Sequence, residues 1–300
     1  MSSVNISPPW FIAGASVMGA SHLKLKMPNQ DAISWWPESG GDPPLIMAIS
    51  DGHGSPKSIR SQIGSRLAVE NTLNVLKDFA DDNRSENDLI SIQALAKKEI
   101  PGRIENLWKQ SVKEHMQEIP FSMQEQETLH GNGIRTASDH SGENILLAYG
   151  ATLLGVLLTK TFVLYLQLGD GDILNVMPNG DVVRPIPGGD RFLGNETTSL
   201  CSDSSAREIS ILVQSTADTF AELILLSTDG YANSFCNEEE FLKVGPDLLT
   251  MIRCEGVEPV RRDIGEWLAE TTRMGSGDDI TLGMIGRQPL IDNRNAEASQ

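Results

Sequence analysis

Residues 44–55 read PLIMAISDGHGS, an aliphatic run that ends in an acid, two glycines and a histidine. Residues 45–49 have the length and aliphatic density of a buried strand, and that strand delivers Asp51 into a turn. Gly52 and Gly54 permit backbone conformations and close approaches that side chains resist. His53 between them can move a proton near neutral pH. Taken alone, the stretch reads as an ordinary strand, turn and solvated histidine, so its meaning rests on its company along the chain.

The composition sets the frame for that company. Three hundred residues, 39% hydrophobic and 22% charged, suit a globular chain able to bury a sizeable core. One domain over residues 11–286 is expected, preceded by a short segment (1–10) and followed by a polar tail (287–300) that frays. No apolar run reaches the length of a bilayer span, and MSSVNISPPW lacks the charged-then-apolar layout of a secretion signal. A cytoplasmic monomer with no membrane partner is the expectation. Forty-one acids against 24 bases give a net charge of −17, which disfavours a nucleic-acid backbone as partner and favours a cation. Cys201, Cys236 and Cys254 are far apart with no CxxC pairing, and are expected to be reduced and structural.

In chain order, residues 10–16 and 32–36 predict two opening strands, joined by a polar link over 19–31 that holds His22, Lys24, Lys26 and Asn29-Gln30-Asp31. Ser55-Pro56 predicts a helix start, with Ile59, Ile63, Leu67, Val69, Leu73 and Leu76 on its apolar side as far as Phe79. Two more helices follow at 88–99 and 103–117, separated by Pro101-Gly102. Residues 118–143 are polar and aperiodic and predict an extended, mobile loop, read as a tolerated insertion ahead of a substrate contact.

The second half turns to strands. Apolar runs at 145–158, 162–168 and 173–176, with a turn at 178–181, predict a meander. A glycine-rich, flap-like segment covers 185–205. Strands at 208–214 and 223–227, helices at 237–244 and 260–272, and a last strand at 280–285 complete the expected order.

Four acids now share one kind of position. Asp51, Asp170, Asp229 and Asp278 stand where an apolar run meets a glycine turn, while Asp31 and Asp279 stand beside strand starts. If these strand ends converge, the carboxylates repel one another severely unless cations neutralise them. Oxygen donors without a Cys or His cluster select Mg²⁺ or Mn²⁺ over zinc. Two such ions sharing a carboxylate bind a water of lowered pKa, and that water is a nucleophile for phosphoester hydrolysis. His53, beside the shared acid, is placed to protonate the departing alkoxide.

NQDA (29–32), SDGHGS (50–55), YGATLLGVLL (149–158), LGDGDIL (168–174), LSTDGYANSF (226–235) and GDDITL (277–282) together resemble the protein phosphatase 2C family of metal-dependent Ser/Thr phosphatases, most closely its compact bacterial branch. Six motifs in the family's order span nearly the whole of 11–286. The resemblance implies an α+β fold, a four-layer α-β-β-α sandwich with two central antiparallel β-sheets and a metal cleft at one end. It implies that Asp51 bridges two ions, that the carbonyl of Gly52 binds the second, and that Asp229 and Asp278 complete the first site. Asp31 would act at the ions directly or through water, Asp170 with Asp229 would hold a third ion, and His53 would be the general acid. A phosphorylated protein substrate, and a cognate Ser/Thr kinase in the same pathway, are implied with it.

Some positions depart from the family pattern. Lys26 stands where an arginine commonly grips the substrate phosphate; it keeps the charge without the two-pronged contact, and His22 or Lys24 can assist. Gln30 replaces an acid, Asp279 an asparagine and Gly171 a serine. A pseudophosphatase that binds phosphoproteins without turnover is the rival reading, favoured by Lys26 and Gly171 and opposed by the retention of Asp51, Asp229 and Asp278. Hydrolysis of a small phosphorylated metabolite is a third.

Overall fold

The structure is a computed structural model that describes residues 10–84, 88–134, 143–187, 198–217 and 221–288. Two five-stranded antiparallel sheets lie face to face. One has the order β1 (Trp10–Val17), β10 (Ile280–Arg287), β9 (Leu223–Ser227), β6 (Asp172–Val176) and β7 (Val182–Val183). The other has the order β2 (Ala32–Trp36), β3 (Leu45–Ser50), β4 (Leu153–Leu158), β5 (Phe162–Leu168) and β8 (Ser210–Ser215). Helices α2 (Ser61–Asp82) and α3 (Leu89–Glu118) cover the second sheet, and α8 (Glu238–Glu255) and α9 (Val257–Met274) cover the first. This is the expected four-layer sandwich.

Three apolar layers hold it together, and β3 shows why its sequence lacks alternation. Ile46 faces α2 and α3 with Leu76 and Trp108, whereas Leu45, Met47 and Ile49 face the other sheet with Ile12, Ile224, Leu226 and Ile285. A strand covered on both faces needs an unbroken apolar run. Each such side chain contributes about 2 kcal/mol on burial.

Several local expectations are corrected. Ser55-Pro56 does not open a helix: Lys57 and Ser58 bond back to Ser55 in a turn, and α2 begins at Ser61. The cause is tertiary, since Arg60 N donates to Ala148 O at 2.7 Å and Ser58 Oγ to Leu147 O at 2.9 Å, which stitches this segment to 147–150 instead of letting it coil. Pro101-Gly102 does not divide two helices, because α3 runs through it. Ile92, Ala96, Ile100, Ile104, Trp108 and Val112 recur every four residues on one buried face, and their burial outweighs the roughly 3 kcal/mol cost of an interior proline.

The segment 118–143 is not simply an extended loop. It contains α4 (Met123–Gly131), started by a capping box in which Ser122 accepts from Glu125 N while the Glu125 carboxylate accepts from Ser122 N. Residues 135–142 lie outside the described residues, as do 188–197 of the flap-like segment, whose end at Ser205 opens α6 (Ser205–Glu208). The apolar run 145–158 is likewise no single strand: α5 (Glu143–Leu147) precedes β4. The link between β1 and β2 holds α1 (Ala20–Leu25).

Helix α8 does not stop at Val244. Gly245 packs against the next layer, where a Cβ would come within 2.8 Å of a Val176 methyl, and the helix continues past Pro246 to Glu255. The three cysteines are free, but Cys236 and Cys254 are exposed, so only Cys201 has a packing role. Among the described residues no helix is long and apolar enough to cross a membrane.

Candidate metal centre

Antiparallel pairing brings the motif residues to one edge of both sheets. Ala32 pairs with Ser50, and Leu153 with Leu168, so Asp31 before β2, Asp51 after β3, Thr152 before β4 and Asp170 after β5 lie together. On the facing sheet Ser227 pairs with both Leu282 and Asp172, which places Asp229 and Asp278 at the same edge. Asp229 is the first residue of a short helix, α7 (Asp229–Ala232). A cavity of about 270 Å³ opens there, with Asp51, Gly52, His53, Asp170, Asp229 and Asp278 in its wall beside Gln30, Thr152 and Asp279. No lysine or arginine lines it among the described residues.

That imbalance governs the electrostatics. Asp31 is buried, and its carboxyl is pushed up to about 7 by desolvation, against the pull of hydrogen bonds from Thr228 Oγ1 and Thr281 Oγ1, both 2.8 Å from Oδ2; Asp279 and Asp278 add repulsion. Burial raises Asp51 well above the usual carboxylate range, with repulsion from Asp31, Asp229 and Asp278 in addition. Asp229 is raised by burial and by Asp170, and it shares a hydrogen bond with Asp51 that pulls it back. A group of acids crowded until they hold protons against their own tendency is a site short of positive charge. Its donors are oxygens, which suits hard divalent cations. The residues therefore fit the metal ions that the motifs imply.

Gly52 is held tightly. Its N–H donates to Gln30 O at 3.1 Å, and a Cβ would come 2.6 Å from that same oxygen and 2.8 Å from Ser61 O. Only glycine fits between the two carbonyls. Asp51 is fixed by two hydrogen bonds to Thr152: its N–H donates to Oγ1 at 3.0 Å and its carbonyl accepts from the Thr152 N–H at 2.8 Å.

His53 lies in the cavity wall with a buried Nε2 that has no hydrogen-bond partner. Burial lowers its pKa, and the nearby Asp170 opposes that shift. The ring rests against Gly150, where a Cβ would stand 3.5 Å from His53 Cγ. A fixed imidazole with an unclaimed nitrogen beside the acids can donate or accept a proton there.

The two phosphate-binding candidates part company. Lys26 is exposed at the end of α1, in a left-handed conformation at φ 57°, and is not in the cavity wall. His22 is half-buried against the acids, likewise outside the cavity wall, with Nδ1 at 2.9 Å from Asp279 Oδ2, outside hydrogen-bond geometry, and Nε2 at 4.0 Å from Asp278 Oδ1. His22, Asp278 and Asp279 can each bring one ligand atom within 4.8 Å of the others, a group able to hold a metal ion. Asp279 is also structural, since its two oxygens accept from Gly19 N and Gln30 N, both at 2.6 Å, and so tie the segment before Asp31 to the start of β10.

Sequence reading missed the residues that hold the acids. Thr228 and Thr281 fix Asp31, and Thr152 fixes Asp51; each sits inside one of the six motifs, and position near an acid was their only signal. Arg60, which anchors the end of the DGHG loop, carried no signal at all.

A family model described as Protein phosphatase 2C matches residues 18–269. No curated protein sequence is similar enough to match the chain. Among solved structures, serine/threonine phosphatase Stp1 from Staphylococcus aureus is similar at TM-score 0.55 and 14% identity, over 95% of this chain and 99% of that one. PppA, a regulatory component of T6SS in Pseudomonas aeruginosa, is similar at 0.54 and 16%, over 94% and 99%. The catalytic domain of the serine/threonine protein phosphatase PstP, solved with two manganese ions, is similar at 0.51 and 14%, over 93% and 98%. These TM-scores establish a shared fold.

Proposed function

The chain belongs to the protein phosphatase 2C family of metal-dependent Ser/Thr phosphatases, and we propose that its reaction, hydrolysis of phosphoserine and phosphothreonine in proteins, takes place in the acidic cavity at the sandwich edge. The observation that carries this reading is the convergence of Asp51, Asp170, Asp229 and Asp278 with Asp31 behind them, around a cavity without a lysine or arginine among the described residues. Asp51, the Gly52 carbonyl, Asp229 and Asp278 would hold two Mn²⁺ or Mg²⁺ ions, Asp31 would support them, and Asp170 with Asp229 would hold a third. The two manganese ions in the PstP structure support the first two sites by analogy of fold. Bound, the ions supply charge neutralisation and a water of lowered pKa.

The chain's own residues do the rest. Thr228 and Thr281 both donate to one oxygen of Asp31 and so fix the orientation of its carboxyl group. Water adds to phosphorus as the ester P–O bond breaks, and His53 delivers a proton to the departing serine or threonine oxygen, completing an alcohol and inorganic phosphate. Lys26 and His22 would assist in binding the phosphoryl group, with Lys26 acting at longer range. The partner is a phosphorylated protein, the product of a Ser/Thr kinase, and the protein acts as a cytoplasmic monomer.

Phosphate release from a phosphothreonine peptide, with and without Mn²⁺, tests this. Activity that depends on the ion and disappears in Asp51→Asn and Asp229→Asn is expected. Metal-independent turnover, or full activity in either variant, overturns the assignment; calorimetric metal binding without turnover points to the pseudophosphatase.

A further inference from the structure

Tyr149 is fully buried in the segment that runs beside the DGHG loop, and its hydroxyl takes no part in the reaction itself. Arg60 can only donate, so Tyr149 Oη accepts from Arg60 Nη1 at 2.9 Å and has its own hydrogen left for His115 Nδ1, also at 2.9 Å. The ring is enclosed by His115, edge-on with centroids 5.6 Å apart, and by Phe121 at 6.5 Å. Three elements thus converge on one hydroxyl: the end of the DGHG loop, α3 and, through the Arg60–Glu125 pair, the first turn of α4.

The backbone on either side of Tyr149 carries the loop that holds His53. Arg60 N donates to Ala148 O at 2.7 Å, His53 N donates to Gly150 O at 3.0 Å, and Gly52 bridges Ala151. Gly150 is also where the imidazole rests, since a Cβ there would stand 3.5 Å from His53 Cγ, 3.3 Å from Ser58 Oγ and 3.2 Å from Cys201 Sγ. The ring of His53 makes no hydrogen bond of its own among the described residues. Its place is therefore set by its backbone and by Gly150, one residue along from the clamped tyrosine. Asp51 is braced separately, by the hydroxyl and the N–H of Thr152.

We propose that Tyr149 is a positioning residue for His53: its hydroxyl, clamped by Arg60 and His115, fixes the Gly150 backbone that holds the imidazole beside the departing oxygen. The proposal rests on reading His53 as the proton donor. It extends the site through the helical layer to α4, because the same guanidinium that holds Tyr149 Oη also grips Glu125.

The test compares a phosphothreonine peptide, whose leaving oxygen needs a proton, with p-nitrophenyl phosphate, whose leaving group does not. Tyr149→Phe keeps the ring and removes the clamped hydroxyl. It is expected to lower kcat on the peptide about fivefold, a small part of what a misplacement of about 1 Å can cost, and kcat on p-nitrophenyl phosphate less than about twofold. KM and the calorimetric affinity for Mn²⁺ are expected to stay at their wild-type values. Gly150→Ala, which leaves the hydroxyl cluster whole and presses on the imidazole directly, is expected to show the same selective loss, and it decides the matter if Tyr149→Phe does not fold. Introduced into His53→Ala, neither substitution is expected to lower the peptide rate further, because residues that act through one group are not additive. Equal losses on the two substrates, a full further loss in the His53→Ala background, or wild-type rates in both variants overturns the positioning role and leaves the phosphatase reading intact. Absence of wild-type turnover on both substrates, or equal losses on the two from His53→Ala alone, overturns the reading of His53 and the proposal with it.

Discussion

Arg60 grips both carboxylate oxygens of Glu125, Nε to Oε1 at 2.7 Å and Nη2 to Oε2 at 3.0 Å, and so joins the end of the DGHG loop to the first turn of α4. The same guanidinium donates to Ile119 O and Tyr149 Oη and lies 4.5 Å from the centre of the Phe121 ring. Arg60 is only 4% exposed. Without Glu125 a buried cation loses its counter-charge. Glu125→Ala is expected to reduce the unfolding free energy by about 3 kcal/mol in urea titrations at neutral pH. A loss below about 1 kcal/mol would show that water replaces the carboxylate.

The pH dependence of this pair has a definite sign. Hydrogen bonds from Arg60 hold Glu125 at about 2, below its ordinary 4.5. A carboxylate depressed in the folded state contributes its stability above the unfolded value, and loses it as pH falls toward the folded one. Wild-type protein should therefore lose the pair's contribution between about pH 4.5 and 2, a loss missing from Glu125→Ala. Parallel acid limbs for the two proteins would contradict this.

The acids at the centre should trade stability for metal binding. Asp51 and Asp229 are both raised by burial and by neighbouring carboxylates. Asp51→Asn or Asp229→Asn removes a repelling group. The chelator-treated variants are expected to be more stable than chelator-treated wild type by about 1 kcal/mol, as functional sites commonly allow. Addition of Mn²⁺ should raise the melting temperature of the wild type and leave both variants nearly unmoved. A variant that matches the wild-type rise would remove that residue from the ligand set.

His53 should matter according to the leaving group. His53→Ala is expected to reduce kcat on a phosphothreonine peptide by about 10²–10⁴, the range of general acid catalysis. The loss on p-nitrophenyl phosphate should be far smaller, because nitrophenolate departs without a proton. Equal losses on the two substrates would reassign His53 from proton donor to a positioning role.

Gly64 should tolerate nothing larger. A Cβ there would lie 1.8 Å from Tyr149 O, where α2 crosses the YGAT segment. Gly64→Ala must push the helix away from the backbone that braces Asp51 and His53, at a cost of about 3 kcal/mol or more. Circular dichroism melts and Mn²⁺-dependent activity measured together would show both losses. A variant with wild-type melting would mean that the contact relaxes freely.

Local sequence determined the strands and the acids. Residues 162–168 and 223–227 form β5 and β9 over the expected lengths, because dense aliphatic runs bounded by glycine or polar turns have one way to be buried. Asp51, Asp170, Asp229 and Asp278 were legible because one placement, an acid where an apolar run meets a glycine turn, recurs four times along the chain. Tertiary structure decided what local signals could not. Ser55-Pro56 has the residues of a helix start, yet hydrogen bonds to Leu147 and Ala148 hold the chain in a turn until Ser61. Pro101 reads as a break, yet six apolar side chains four residues apart keep α3 whole. Lys26 was the expected phosphate ligand with His22 to assist it, and the short helix α1 sets His22 against Asp279 while leaving Lys26 in solvent. Periodicity reports a residue's own preference for water. Which partner it meets, and whether several acids meet in one cavity, depends on pairings across 100 to 260 residues, such as Asp51 with Thr152 and Gly19 with Asp279.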